Sequence, residues 1–104
     1  MTFMKAWWHH DSADLPVLLF SELDAERWET RSVEVFRDGR IGYASATESA
    51  GPTMLGQLPV PELDEIRADP EFDAEEITRE EFEAVWERRA AGPAWPGAPR
   101  HASG

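Results

Sequence analysis

The chain of 104 residues has no cysteine, which excludes disulfides, thiolate metal sites and a cysteine nucleophile. Positive charge is scarce: 10 Lys+Arg stand against 21 Asp+Glu, for a net charge of -11. A field of that sign repels phosphate backbones and anionic lipid, so neither nucleic acid nor a membrane is an expected partner. No apolar run reaches the roughly 18 residues of a membrane helix. Met1 to Trp8 lacks the basic start and long apolar segment of a signal peptide. Ser12, Ser21 and Ser32 are framed by no Gly-x-Ser-x-Gly elbow, and the chain has no Gly-rich phosphate loop. What is present, 41% apolar and 11% aromatic residues, is too much for a disordered chain. The expectation is one soluble, cytoplasmic domain over residues 1–90, followed by a disordered Ala/Pro/Gly-rich tail over 91–104.

The acids are unevenly placed. Residues 1–61 carry 9 acids and 5 bases, residues 62–87 carry 12 acids and 2 bases, and residues 88–104 carry 3 bases and no acid. One segment of the chain therefore holds nearly all the excess charge. Such a run serves solubility in many small domains. It also attracts a basic partner.

Hydropathy patterning sorts the chain into strands followed by helices. Residues 3–10 are aromatic-rich and read as a strand, with Trp7 and His9 on one face and Trp8 and His10 on the other. Asp11 to Asp14 is a polar turn, and residues 16–23 form a short apolar strand opened by Pro16. Residues 27–37 and 40–44 flank Asp38-Gly39, a hairpin signal for a two-residue type I′ turn. That register sets Phe36 against Ile41 and Glu34 against Tyr43, with Phe36, Ile41, Tyr43 and Trp28 on one apolar face. Residues 45–60 read as a long loop. A short helix over 61–69 follows, with Leu63 and Ile66 as its apolar stripe and Pro70 as its stop. Asp73 with Glu76 and Thr78 with Glu81 have the spacing of capping boxes, and Phe82, Val85, Trp86 and Arg89 share one side of a helix over 79–90. The expected fold is α+β: a four-stranded antiparallel meander of hairpins, then two or three short C-terminal helices packed on one face.

Several motifs are shared with a known group. Trp-His-His-Asp at 8–11, Val-Glu-Val-Phe-Arg-Asp-Gly-Arg at 33–40, Leu55-Gly56-x-x-Pro59-x-Pro61 and Glu65-Ile66-x-Ala68-Asp69-Pro70-Glu71-Phe72 together resemble a bacterial domain-of-unknown-function family. The resemblance spans residues 4–88 and implies a compact stand-alone bacterial domain. It brings no catalytic residue. Small acidic domains of this size are similar to immunity proteins that neutralise a toxin, by analogy alone.

Two function classes follow. The first is a protein-binding module, an immunity or antitoxin-type inhibitor of a basic partner, with Glu62, Asp64, Glu65, Glu80 and Glu83 and the aromatic Trp8 as contact residues. The alternative is a small enzyme or ligand- or metal-binding domain around His9, His10, Asp11 and Glu34, where a histidine and a carboxylate could form an acid–base pair. Adjacent histidines on a strand point to opposite faces, so they do not readily share one ion, and neither a metal nor another cofactor is expected.

Overall fold

The structure, a computed structural model, describes residues 1–51 and 53–89. Five strands run in sequence as an antiparallel meander: β1 (Thr2–Trp8), β2 (Pro16–Leu23), β3 (Glu29–Phe36), β4 (Ile41–Ser45) and β5 (Ser49–Ala50). The chain then returns across the whole sheet through helix α1 (Leu63–Arg67) and adds β6 (Phe72–Ile77) beside β1. Helix α2 (Arg79–Glu87) follows. The sheet thus has six strands in the order β5-β4-β3-β2-β1-β6, where the sequence pattern shows four.

The Asp38-Gly39 hairpin forms, but with a three-residue loop. Phe36 N–H donates to the Arg40 carbonyl and Gly39 N–H to the Phe36 carbonyl, both at 2.9 Å. Gly39 alone takes the left-handed conformation, with φ 92°, whereas a type I′ turn requires Asp38 there too. The pairing therefore slips by one residue from the expected register. Val33 faces Tyr43, Val35 faces Ile41, and Glu34 faces Gly42. Because side chains alternate, this slip gives the Ile41/Tyr43 face two valines and sends Glu34 to the opposite face. Trp28 does not join that face; it precedes β3 and is 40% exposed.

Both faces of the sheet are covered. On one, Phe3, Phe20, Val33, Val35 and Ile77 pack under Phe82, Val85 and Trp86 of α2. On the other, Met4, Ala6, Leu23 and Ala74 pack under Val60, Leu63 and Ile66. The helices lie on opposite faces, not together on one, because the return crosses one face and α2 then folds back over the other. Thr78 caps α2 as its spacing implies: its hydroxyl accepts from Glu81 N–H at 3.0 Å. The reciprocal half of the box is not made, since the Glu81 carboxylate lies 3.7 Å from Lys5 Nζ. Asp73 and Glu76 form no capping box; they lie within β6.

The return segment is anchored to the sheet by polar contacts. Gly56 N–H donates to Glu29 Oε1 at 2.9 Å, and Ser21 Oγ donates to the other oxygen of Glu29 at 2.7 Å. Arg27, at φ 67°, donates from its side chain to the carbonyls of Val60 and Pro61. Thr53, 2% exposed, donates from Oγ1 to Glu34 Oε1 at 2.7 Å. Burial pushes the Glu34 carboxyl above the usual glutamate range, and the Glu29 carboxylate adds to this, while the Thr53 hydroxyl opposes it. A raised carboxyl pKa in the folded state stabilises only its protonated form, so stability falls as pH rises through it. Glu34→Gln keeps the acceptor for Thr53. It is expected to raise the melting temperature at neutral pH, by at most about 1 kcal/mol of stability. Thermal melts from acid to neutral pH check this: the gain should vanish at the acid end.

Candidate protein-binding surface

The crossover places the acid-rich segment at one edge of the sheet. Helix α1, strand β6 and the first turn of α2 are consecutive in sequence. β6 pairs with β1 on one side only, so it forms an edge. Glu62, Asp64 and Glu65 lie at α1, on the Met4 face. Asp73, Glu75 and Glu76 are exposed on β6 itself, and Glu80 and Glu81 are exposed at the start of α2. The acids of three elements therefore form a band around one strand.

Few cations offset this band. Lys5 lies 3.5 Å from Glu75 and 3.7 Å from Glu81. Arg67 stands 3.8 Å from Asp64 and donates from Nε to the Ala74 carbonyl at 2.8 Å. Glu62 is 3.4 Å from Arg27. Arg79 rests over the Phe3 ring. Glu65, Glu76 and Glu80 have no ion pair among the described residues. Exposed pairs of this kind contribute little to stability, so much of the negative field remains available to a partner.

Two of the residues expected at such a surface, Glu83 and Trp8, make internal contacts. Glu83 accepts from Arg31 Nη2 at 2.6 Å, and Glu22 accepts from the same nitrogen at 2.6 Å. These hydrogen bonds hold both carboxyls below the usual glutamate range. The Arg31 guanidinium also lies 4.9 Å from the centre of the Phe82 ring and 5.1 Å from that of Trp86, so it fastens α2 to the sheet. Trp8 is half-buried. Its ring stacks on Phe72 with centroids 5.5 Å apart, and its indole N–H donates to Glu71 at 3.1 Å, which secures the start of β6. Asp73, Glu75 and Glu76 are not among the contact residues the sequence points to, and the capping-box spacing of Asp73 and Glu76 masks their place on a strand. The alternation of Phe72 and Ala74 was the available sign of a strand.

The histidine corner does not converge on a reactive centre. His10 Nδ1 accepts from Ser12 N–H at 3.0 Å and Nε2 donates to the Pro16 carbonyl at 2.7 Å, so both ring nitrogens hold the turn together. His9 points the other way and meets Asp73 at 3.0 Å, on the surface. Asp11 is exposed, and Glu34 lies under Thr53 on the return-segment face. His9, His10 and Asp11 themselves line an open groove of about 680 Å³, together with Trp8, Leu18 and Arg37, whereas Glu34 does not. The Arg37 guanidinium donates to the carbonyls of His10 and Ser12. Among the described residues no group of three or more His, Asp or Glu side chains is arranged to hold a metal ion. None of the described helices is long and apolar enough to cross a membrane.

A family model described as Domain of unknown function (DUF6881) matches residues 2–91. The chain belongs to that family. No curated protein and no solved structure matches it. The sequence motifs named above can be placed on the fold of this DUF6881 domain. Trp-His-His-Asp closes β1 and opens the turn, the Asp38-Gly39 segment is the β3–β4 loop, and residues 65–72 lead from α1 into β6. These motifs hold the strands in place and position the acidic edge.

Proposed function

We propose that the domain is a protein-binding module that captures a basic partner, acting in a bacterial cytoplasm as an inhibitor of the immunity or antitoxin type. The observation that carries this reading is the collection of acids from α1, β6 and α2 around a single edge strand, with Glu65, Glu76 and Glu80 unpaired among the described residues. Concentrated charge of one sign speeds encounter with a partner of the other sign and makes binding sensitive to salt. The commitment of His10 to the turn, and the placement of Glu34 on the far face, favour this reading over the enzymatic one.

The test is affinity capture from the host's lysate with the wild type and with Glu65→Lys/Glu76→Lys/Glu80→Lys, none of which breaks an ion pair among the described residues. Capture is run at about 50 mM and about 500 mM salt, across which screening strengthens severalfold. A basic protein retained by the wild type at low salt is expected, reduced at least tenfold by the triple variant or by high salt. Equal retention by the triple variant would leave the acids a solubility role only.

A further inference from the structure

The parity of the β1–β6 ladder decides which backbone groups of β6 face away from the sheet. His9 N–H donates to the Glu71 carbonyl at 2.7 Å, in register with the pairs Trp7–Asp73, Lys5–Glu75 and Phe3–Ile77. Glu71 therefore turns its C=O toward β1, its N–H donating instead to Asp69 Oδ1; residues 73, 75 and 77 turn both groups toward β1, and residues 72, 74 and 76 turn theirs outward. Two contacts agree with this phase: Phe72 N–H donates to the Asp69 carbonyl, and Arg67 donates to the Ala74 carbonyl. The remaining outward groups are Phe72 C=O, Ala74 N–H, Glu76 N–H and Glu76 C=O. They have no hydrogen-bond partner among the described residues. A groove of about 490 Å³, bordered by Trp7, His9, Arg67, Asp73, Ala74 and Glu75, runs beside this edge.

Ala74 is 5% exposed, with Arg67 over its carbonyl. We propose that the outer edge of β6, once Arg67 swings off Ala74, accepts an extended basic segment of a protein partner as a seventh strand. This rests on the capture function proposed above and specifies how the partner is held. An added strand satisfies the outward backbone groups, and its side chains alternate between the two faces. On the face covered by α2 they meet Asp73 and Glu75; on the other they meet Glu76. Lysine or arginine at alternate positions therefore fits, and opposite charges across neighbouring strands stabilise the pairing. A second copy of this chain is a poor occupant. Antiparallel pairing of β6 with itself about Ala74 sets Asp73 of each copy against Glu75 of the other, and like charges across strands are destabilising. Arg67 guards the edge in the free domain. It occupies the Ala74 carbonyl that an uncovered edge would offer to any strand, and its side chain is half exposed and able to swing aside.

The test uses a synthetic peptide of alternating lysine and valine, and the same peptide N-methylated at every residue so that neither of its edges can donate. In the protein, Glu76→Pro removes the outward N–H without removing a bond to β1, and Glu76→Gln controls for the lost charge. Thermal melts establish that both variants fold. The expected results are slowed amide exchange at Ala74 and Glu76 on binding, at least tenfold weaker binding of the N-methylated peptide, and at least tenfold weaker binding to Glu76→Pro than to Glu76→Gln. If the two peptides bind alike and Glu76→Pro matches Glu76→Gln, strand addition is overturned while capture by charge stands. If the parent peptide does not bind at low salt, strand addition is likewise overturned, and the lysate capture alone decides the acidic surface.

Discussion

Replacing Arg31 with alanine is expected to lower the stability of the domain by about 3–5 kcal/mol, because it strands a buried carboxylate. The Glu22 side chain is 9% exposed and accepts from Arg31 Nε at 2.9 Å and Nη2 at 2.6 Å. Its only other side-chain donor among the described residues is Thr30, at 2.8 Å. The same substitution frees Glu83 and removes the guanidinium that lies against Phe82 and Trp86, so α2 loses an anchor as well as a charge. For a domain of this size the loss is equivalent to roughly 15 °C or more in melting temperature. Arg31→Lys should fall between the two, since an ammonium keeps the charge but not the planar fork. Acid titration gives an independent check. Glu22 and Glu83 are held below their ordinary value in the fold, so the unfolded chain binds the proton more tightly and acidification favours unfolding. The wild type should lose this contribution progressively below about pH 4.3, and Arg31→Ala should show little of that loss. A destabilisation below about 1 kcal/mol would mean that the triad is no stronger than an exposed pair.

Gly42→Val is expected to cost about 3 kcal/mol, by displacing the return segment from the sheet. A Cβ at position 42 would stand 2.1 Å from Thr53 Oγ1 and 3.3 Å from the Ala50 carbonyl oxygen. Thr53 cannot yield easily, because it is fully buried and donates to Glu34. Moving it leaves the Glu34 carboxyl without its donor in a partly desolvated place. Thr53→Ala in the Gly42→Val background should recover part of the loss, giving a non-additive pair in urea denaturation. Strict additivity of the two substitutions would indicate that Gly42 and Thr53 do not share this contact.

Strands β1 to β4 were legible in the sequence, since each alternates or is largely apolar over its length, whereas the two-residue β5 falls inside the stretch that reads as a loop. What the sequence left open was long-range. Asp38-Gly39 suits both a two-residue and a three-residue loop, and the choice turns on whether Asp38 adopts positive φ; that one residue of slip reverses the face of Glu34. Asp73 and Glu76 satisfy the spacing of a capping box, but β1 offers a partner edge only once the chain has crossed the sheet, and the ladder then outweighs a local cap. The stripes of α1 and α2 were readable, whereas the faces they cover depend on the path of residues 51–71. At the candidate site, the acid run over 62–87 was plain. The residues that face outward were not, because the Arg31 triad claims Glu83 and Phe72 claims Trp8. The tail over 91–104 lies outside the described residues.

The measurement that tests the central claim most directly is an amide chemical-shift map of the ¹⁵N-labelled domain, titrated with a lysine-rich peptide at low and high salt. The account expects the shifts to cluster on α1, β6 and the first turn of α2, and to fade as salt rises. Shifts centred on the Trp7–Arg37 groove or on exposed Trp28, Met54 and Leu58, or shifts indifferent to salt, would contradict it.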